Sequence, residues 1–103
     1  MGLFRPEWMN PNESVADSAV RKLTKEAELI RAALQSPHKR VRQYAIDRIS
    51  DQEVLARIAA EDKDEYVRMC AAISLKDQDL LARLALQSRD SDVRRIAAKK
   101  LTD

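Results

Sequence analysis

A 26-residue internal repeat constrains this 103-residue chain more than any other feature. Val-Arg pairs recur at Val41-Arg42, Val67-Arg68 and Val93-Arg94, and residues 41–62 match residues 67–88 at nine of 22 positions. A repeat of this length has the size of one supersecondary unit, which cannot bury its apolar side alone and must stack on its neighbours.

The recurring residues show how each unit is built. Asp51, Gln52, Leu55, Ala56, Arg57 and Ala59 return as Asp77, Gln78, Leu81, Ala82, Arg83 and Ala85, while Ala45 returns as Ala71 and Ala97. Two helices per unit follow. In the first, Val54, Leu55, Ile58 and Ala59 share one half of the helical wheel. In the second, Val41, Ala45 and Ile49 form a stripe at four-residue spacing, repeated by Val67, Ala71, Leu75 and by Val93, Ala97, Leu101. The alanines allow close helix approach, and the larger aliphatics fill the space between.

Sliding the frame back one repeat puts Val15, Ala19 and Leu23 on the stripe, with Leu29, Ala32 and Ala33 on the first-helix positions. The pattern predicts helices over 13–23, 25–35, 39–49, 52–62, 65–75, 78–88 and 91–101. Residues 1–12 fall outside the repeat, and 13–103 form one repeat domain. Start signals agree: Ser50 with Glu53 has capping-box spacing with Asp51 as the alternative, and Asp64, Asp77 and Asp90 can cap the helices that follow them. Gly2 is the only glycine, which argues against tight β-hairpins and against a phosphate-cradling loop.

An amphipathic helix, an acidic turn, then Asp-x-x-Val-Arg opening an alanine-rich helix resembles HEAT repeats, in the short form shared with bacterial HEAT-like and leucine-rich-variant proteins. The resemblance covers roughly residues 13–103. It implies an all-α fold, a right-handed α-α superhelix or short solenoid of about seven helices and three and a half HEAT-like repeats. It also implies a hydrogen-bond ladder between the turn Asp and the Arg after Val, carried here by Asp64 with Arg68 and Asp90 with Arg94. The first unit departs from the pattern, because His38 stands where the Asp belongs and Arg42 is left to lack a partner or find another. A scaffold of this kind hosts many unrelated tasks.

The inventory of reactive side chains is short. His38 and Cys70 are the only histidine and cysteine, whereas a zinc site needs three or four converging ligands and a nucleophilic triad needs a histidine held by a third group. His38 lies in a basic turn with Lys39 and Arg40 and reads as an exposed turn residue. Cys70 shares its repeat position with Tyr44 and Ile96 and reads as a half-buried packing site. HEAT-like hydroxylases carry paired His-Glu motifs, and none occurs here. The chain is therefore expected to be non-enzymatic and to hold no cofactor or metal.

Nineteen basic and seventeen acidic residues nearly balance at +2, so net charge points to neither nucleic acid nor membrane. A single cysteine and no long apolar run make a reducing cytoplasm the default location.

Function must then reside on the solvent face of the second helices, which in HEAT-like stacks lines the concave side. Opposite the stripe stand Asp17 and Arg21, then Gln43 and Asp47, then Met69 and Ile73, then Arg95 and Lys99. Met69 and Ile73 are apolar where the other units are polar, and methionine suits an adaptable apolar contact. The competing account has both packing under the N-terminal segment. Gln43, Asp47, Met69, Ile73, Arg95 and Lys99 are the expected partner-binding residues for a protein or peptide. A HEAT-like nucleic-acid module is the alternative, since HEAT-like DNA glycosylases hold a duplex, but it expects an unbroken basic stripe.

A second exposed row, Arg31, Arg57 and Arg83, reads as a solvated face with Glu28, Glu53, Glu61 and Asp79 nearby. Leu3, Phe4, Trp8 and Met9 in the N-terminal segment need an apolar home, either a dry cap on the first helix, the concave groove, or a partner. Thr102-Asp103 aligns with Lys76-Asp77 at the start of another first helix. A monomer, or weak self-association through the C-terminal edge, is expected.

Overall fold

The computed structural model describes residues 5–101. Among them a 3-10 turn at Glu7–Met9 precedes seven helices and no strand: α1 Glu13–Arg21, α2 Glu26–Gln35, α3 Lys39–Ile46, α4 Gln52–Glu61, α5 Glu65–Ser74, α6 Gln78–Gln87 and α7 Ser91–Lys100. Every expected helix is present. α3 stops short of its expected end because Arg48 N bonds Ala45 O and Ile49 N bonds Ile46 O, the tighter spacing in which helix ends satisfy their last carbonyls.

The caps are those the acidic turns foretell. Asp51 accepts from Val54 N, Asp77 from Leu80 N, and Asp64 and Asp90 each accept from two amides of the turn that follows. Each carboxylate satisfies amides that the helix leaves free and lies at the positive end of its dipole. At the start of α1, Asn12 does the same for Val15 N, while the cap position of α3 is His38, whose side chain makes no capping bond.

Residue contacts divide the chain into two units, Met1–Ile49 and Ser50–Asp103. In the second, α4 pairs with α5 and α6 with α7, and the pairs stack first helix on first helix (α4 on α6) and second on second (α5 on α7). Leu55, Ala59, Val67, Ala71, Leu75, Leu81, Val93 and Ala97 fill the space between them. Side chains also reach from one pair to the next. Gln52 Oε1 accepts from the amides of Lys76 (2.7 Å) and Asp77 (2.9 Å), and Lys100 Nζ donates to the Ile73 carbonyl at the end of α5.

In the first unit α2 pairs with α3, α1 packs on α3, and the 3-10 turn touches both α1 and α2. Trp8 is 2% exposed there. Ser36 Oγ donates to the Trp8 carbonyl at 3.0 Å, and the Arg31 guanidinium lies 6.0 Å from the indole centre. Trp8 thus caps the start of this unit; Leu3 and Phe4 lie outside the described residues, as do Thr102 and Asp103.

Ala45, Ala71 and Ala97 are each fully buried, so the repeat frame holds for the last three second helices. It fails for the first. Val15 is 39% exposed and Ala19 and Leu23 are half-buried, while Ala16 and Val20 are the buried pair of α1. The cause is the short partner: a three-residue turn covers less of α1 than a ten-residue helix covers of α5. Val15, Ser18 and Ala19 are left lining a solvent-open cleft beside Glu7.

Candidate functional site

The exposed side of α5 gathers the site. Tyr66, Met69, Cys70 and Ile73 follow one another at i, i+3, i+4 and i+7 and therefore form a single stripe along the helix. Tyr66 is 61% and Ile73 58% exposed, with Met69 and Cys70 half-buried between them. The same positions read Arg40, Gln43, Tyr44 and Asp47 on α3 and Asp92, Arg95, Ile96 and Lys99 on α7. Only α5 is apolar at all four.

Sequence reasoning singled out Met69 and Ile73 and missed Tyr66. The signal was present, since Tyr66 precedes Ile73 by two helical turns and is the apolar member of a column otherwise filled by Arg40 and Asp92. Tyr66 lies three residues before Met69, outside the two positions per helix, four residues apart, that stand opposite the buried stripe.

α7, which packs on α5, supplies the charged flank. Arg95 and Lys99 are exposed. Arg95 Nη2 meets Asp92 Oδ1 at 2.7 Å, a pair too open to water to fix the side chain strongly. Lys99 has no ion-pair partner among the described residues, and the Lys100–Ile73 bond holds the last turn of α7 beside the end of α5.

Gln43 and Asp47 belong to the first unit. Gln43 is half-buried on α3, and Asp47 is exposed at the residue that ends the helix, not within it as the predicted span 39–49 required. Elsewhere in that unit Arg21 bonds Asp17 at 2.9 Å, which holds the guanidinium pKa above its ordinary value, and Arg21 and Arg48 both face the Tyr44 ring. Arg48 also donates to the Leu23 carbonyl at 3.0 Å.

Two expectations for the Val-Arg arginines and the turn between α2 and α3 are corrected. Arg68 does not pair with Asp64 of its own turn. Its Nε donates to Asp90 Oδ2 of the next pair at 2.8 Å and its Nη1 to the Asp62 carbonyl at 2.8 Å, because Asp64 is turned toward the amides it caps. Arg94 and Arg42 repeat the second contact, to the carbonyls of Ser88 (2.7 Å) and Ser36 (2.9 Å), and Arg42 is 3% exposed. His38 is half-buried, not an exposed turn residue: its Nε2 lies 2.8 Å from the Asn10 carbonyl, an acceptor, so that nitrogen carries the proton.

The arginine row is solvated, as its setting suggested. Arg31 meets Glu28 at 3.5 Å and Arg57 meets Glu61 at 3.4 Å, while Arg83 has no ion pair among the described residues. Arg57 and Arg83 flank a shallow cleft between α4 and α6 floored by Ala56, Ala60, Leu80 and Leu84. Among the described residues no three His, Cys, Asp or Glu side chains are grouped as a metal site requires, and no helix is long and apolar enough to cross a membrane.

The fold and the exposed stripe define an all-helical repeat protein with an apolar face on one helix. No family model matches the chain, and no curated protein or solved structure matches it.

Proposed function

We propose that this chain is a non-enzymatic scaffold or adaptor of HEAT-like build that holds a protein or peptide segment on the α5 stripe. The observation that carries this reading is the exposure of Tyr66 and Ile73 on a helix whose repeat counterparts are polar or charged at those positions. Folding alone gives no reason to place them there, since exposed apolar side chains contribute little to stability and invite association. A right-handed superhelix in a cytoplasmic, monomeric or weakly associating protein is the setting we infer.

The stripe sets the partner's chemistry. Anchors at i, i+3 and i+7 fit the apolar face of a short amphipathic helix or the side chains of an extended segment. Arg95 and Lys99 favour acidic groups or carbonyls beside it, and Gln43 and Asp47 hold the equivalent repeat positions in the first unit. The nucleic-acid alternative has less support, because Arg31 and Arg57 are neutralised by Glu28 and Glu61 and the α5 stripe carries no charge.

The test is capture from lysate with a photo-crosslinking residue at position 73, at low and at high salt. A protein crosslinked at both salt concentrations supports the reading. Recovery of nucleic acid that salt releases overturns it in favour of a phosphate-binding surface, and crosslinking no greater than from position 83 shows that the stripe is not the binding face.

A further inference from the structure

The cleft between α4 and α6 lies wholly within the second unit, and none of its lining residues belongs to α5 or α7. Its cause is a mismatch of side-chain size. α4 contributes Ala56 and Ala60 where α6 contributes Leu80 and Leu84, which leaves a solvent-open volume of about 290 Å³ above an apolar floor. Arg57 and Arg83 hold the same repeat position and flank that floor. Arg57 meets Glu61 at 3.4 Å with 64% and 67% of the two side chains exposed, so water screens the pair and another carboxylate exchanges into it at little cost. Arg83 has no ion pair among the described residues. Past Ala60 the cleft runs into a polar one lined by Lys63 and Arg89, neither of which has an ion pair among the described residues. The carboxylates there are engaged: Glu61 by Arg57, Asp90 by Arg68, and Asp62 by the Asp64 amide. The unpaired charge along the two clefts is thus cationic, except for Glu53 at the start of α4.

We propose that the α4–α6 cleft docks an acidic-apolar segment of another protein. A large apolar side chain of that segment covers the alanine-leucine floor, an adjoining carboxylate lies between Arg57 and Arg83, and further acidic residues run toward Lys63 and Arg89. Size and charge select together. The open cleft is at the lower limit of the roughly 300–1,000 Å³ in which a small molecule is enclosed, so it suits one anchoring side chain of a longer segment. Guanidinium groups meet carboxylates through paired hydrogen bonds, and an apolar surface beside them keeps water from one side of the contact and strengthens it. Glu53 sets the direction, because an acidic residue at that end would meet a like charge. A phosphodiester chain would satisfy the arginines but leave the floor uncovered.

The test titrates capped synthetic peptides into the isotope-labelled full chain. The probe is Ser-Gly-Phe-Asp-Glu-Asp-Gly-Ser; one control replaces its Phe by Ser, a second replaces its acidic residues by Asn and Gln, and a single-stranded oligothymidylate supplies phosphates alone. The probe should shift the amides of Ala56, Ala60 and Leu84 and the Arg83 Nε–H, and leave Tyr66 and Ile73 unmoved. Each control peptide should bind about tenfold more weakly or worse, the usual effect of losing an apolar anchor or a charge-assisted hydrogen bond. In the chain, Arg83→Gln should weaken the probe about tenfold with the helical content unchanged, since Arg83 is exposed. A crosslinking residue at position 83 removes the same guanidinium, so it stays a blank for the α5 stripe and the two surfaces are read separately. No binding at millimolar probe, equal binding of either control peptide, or undiminished binding by Arg83→Gln overturns the proposal. Tighter binding of the oligothymidylate overturns it in favour of a phosphate surface, and shifts centred on Tyr66 and Ile73 overturn it by placing the segment on α5.

Discussion

Arg68 and Asp90 are 22 residues apart in sequence and 2.8 Å apart in the fold, where they join the α4–α5 pair to the α6–α7 pair. Their side chains are only 22% and 13% exposed. Burial pushes the Asp90 carboxyl pKa up, but the hydrogen bond from Arg68, the amides of Val93 and Asp92 and the nearby positive charge outweigh it, and the group sits below the ordinary carboxylate range.

The pH dependence follows from that direction. In the unfolded chain an aspartate titrates at about 3.9, so Asp90's contribution to stability is complete above that value and is lost as pH falls through the lower folded value. The stability difference between the native chain and Asp90→Asn should be constant from about pH 6 to about pH 8 and shrink below about pH 4. Urea midpoints measured across this range check it. A gap that does not change with acid would show that Arg68 gains nothing from the charge on Asp90.

Leu81 is fully buried at the centre of α6, and Leu55 holds the same position on α4 at 1% exposure. Truncating either to alanine removes buried methyl groups and leaves a cavity, costing about 2–5 kcal/mol. For a chain this size that lowers the melting temperature by roughly ten degrees or more. A melt of Leu81→Ala that matches the native one would remove this residue from the core.

The repeat made the helices, their caps and three of the four buried stripes legible, because periodicity and capping act through neighbours in sequence. What it could not show is where a partner element is shortened. Val15 obeys the spacing of Val41, Val67 and Val93, yet its exposure is decided by the brevity of the Glu7–Met9 turn. Arg68 likewise looked matched to Asp64, and only the stacking of one pair on the next brings Asp90 within reach. On the site, Met69 and Ile73 stood out as breaks in a polar column, whereas Tyr66 lies three residues before Met69 and outside that column.

Trp8 is the only tryptophan, buried in the first unit with its Nε1 unpaired. Trp8→Ala should cost about 3–5 kcal/mol. Trp8→Phe should cost much less, since it keeps most of the ring and removes a buried donor whose desolvation costs about 1–3 kcal/mol. Native fluorescence should be blue-shifted, poorly quenched by acrylamide, and move to the red on unfolding. Equal stabilities of the alanine variant and the native chain would show that the turn is not part of the folded unit.

The α5 stripe makes the prediction nearest to function. Ile73 and Tyr66 are more than half exposed and Met69 half-buried, so replacing Met69 and Ile73 together by serine should leave the helical content unchanged and shift stability by no more than about 1 kcal/mol. Binding to a captured partner should weaken by more than 1 kcal/mol, about fivefold or greater, because central apolar anchors carry most of an interface's energy. Tyr66→Ala should act in the same direction, and Lys99→Ala should lower the association rate more than the residence time, as expected for a charge at the rim. Titration calorimetry and surface-plasmon kinetics against that partner separate these effects. Normal binding by the double serine variant would move the interface off α5 altogether, whereas a loss confined to Lys99→Ala would mean that charge, not the apolar stripe, holds the partner.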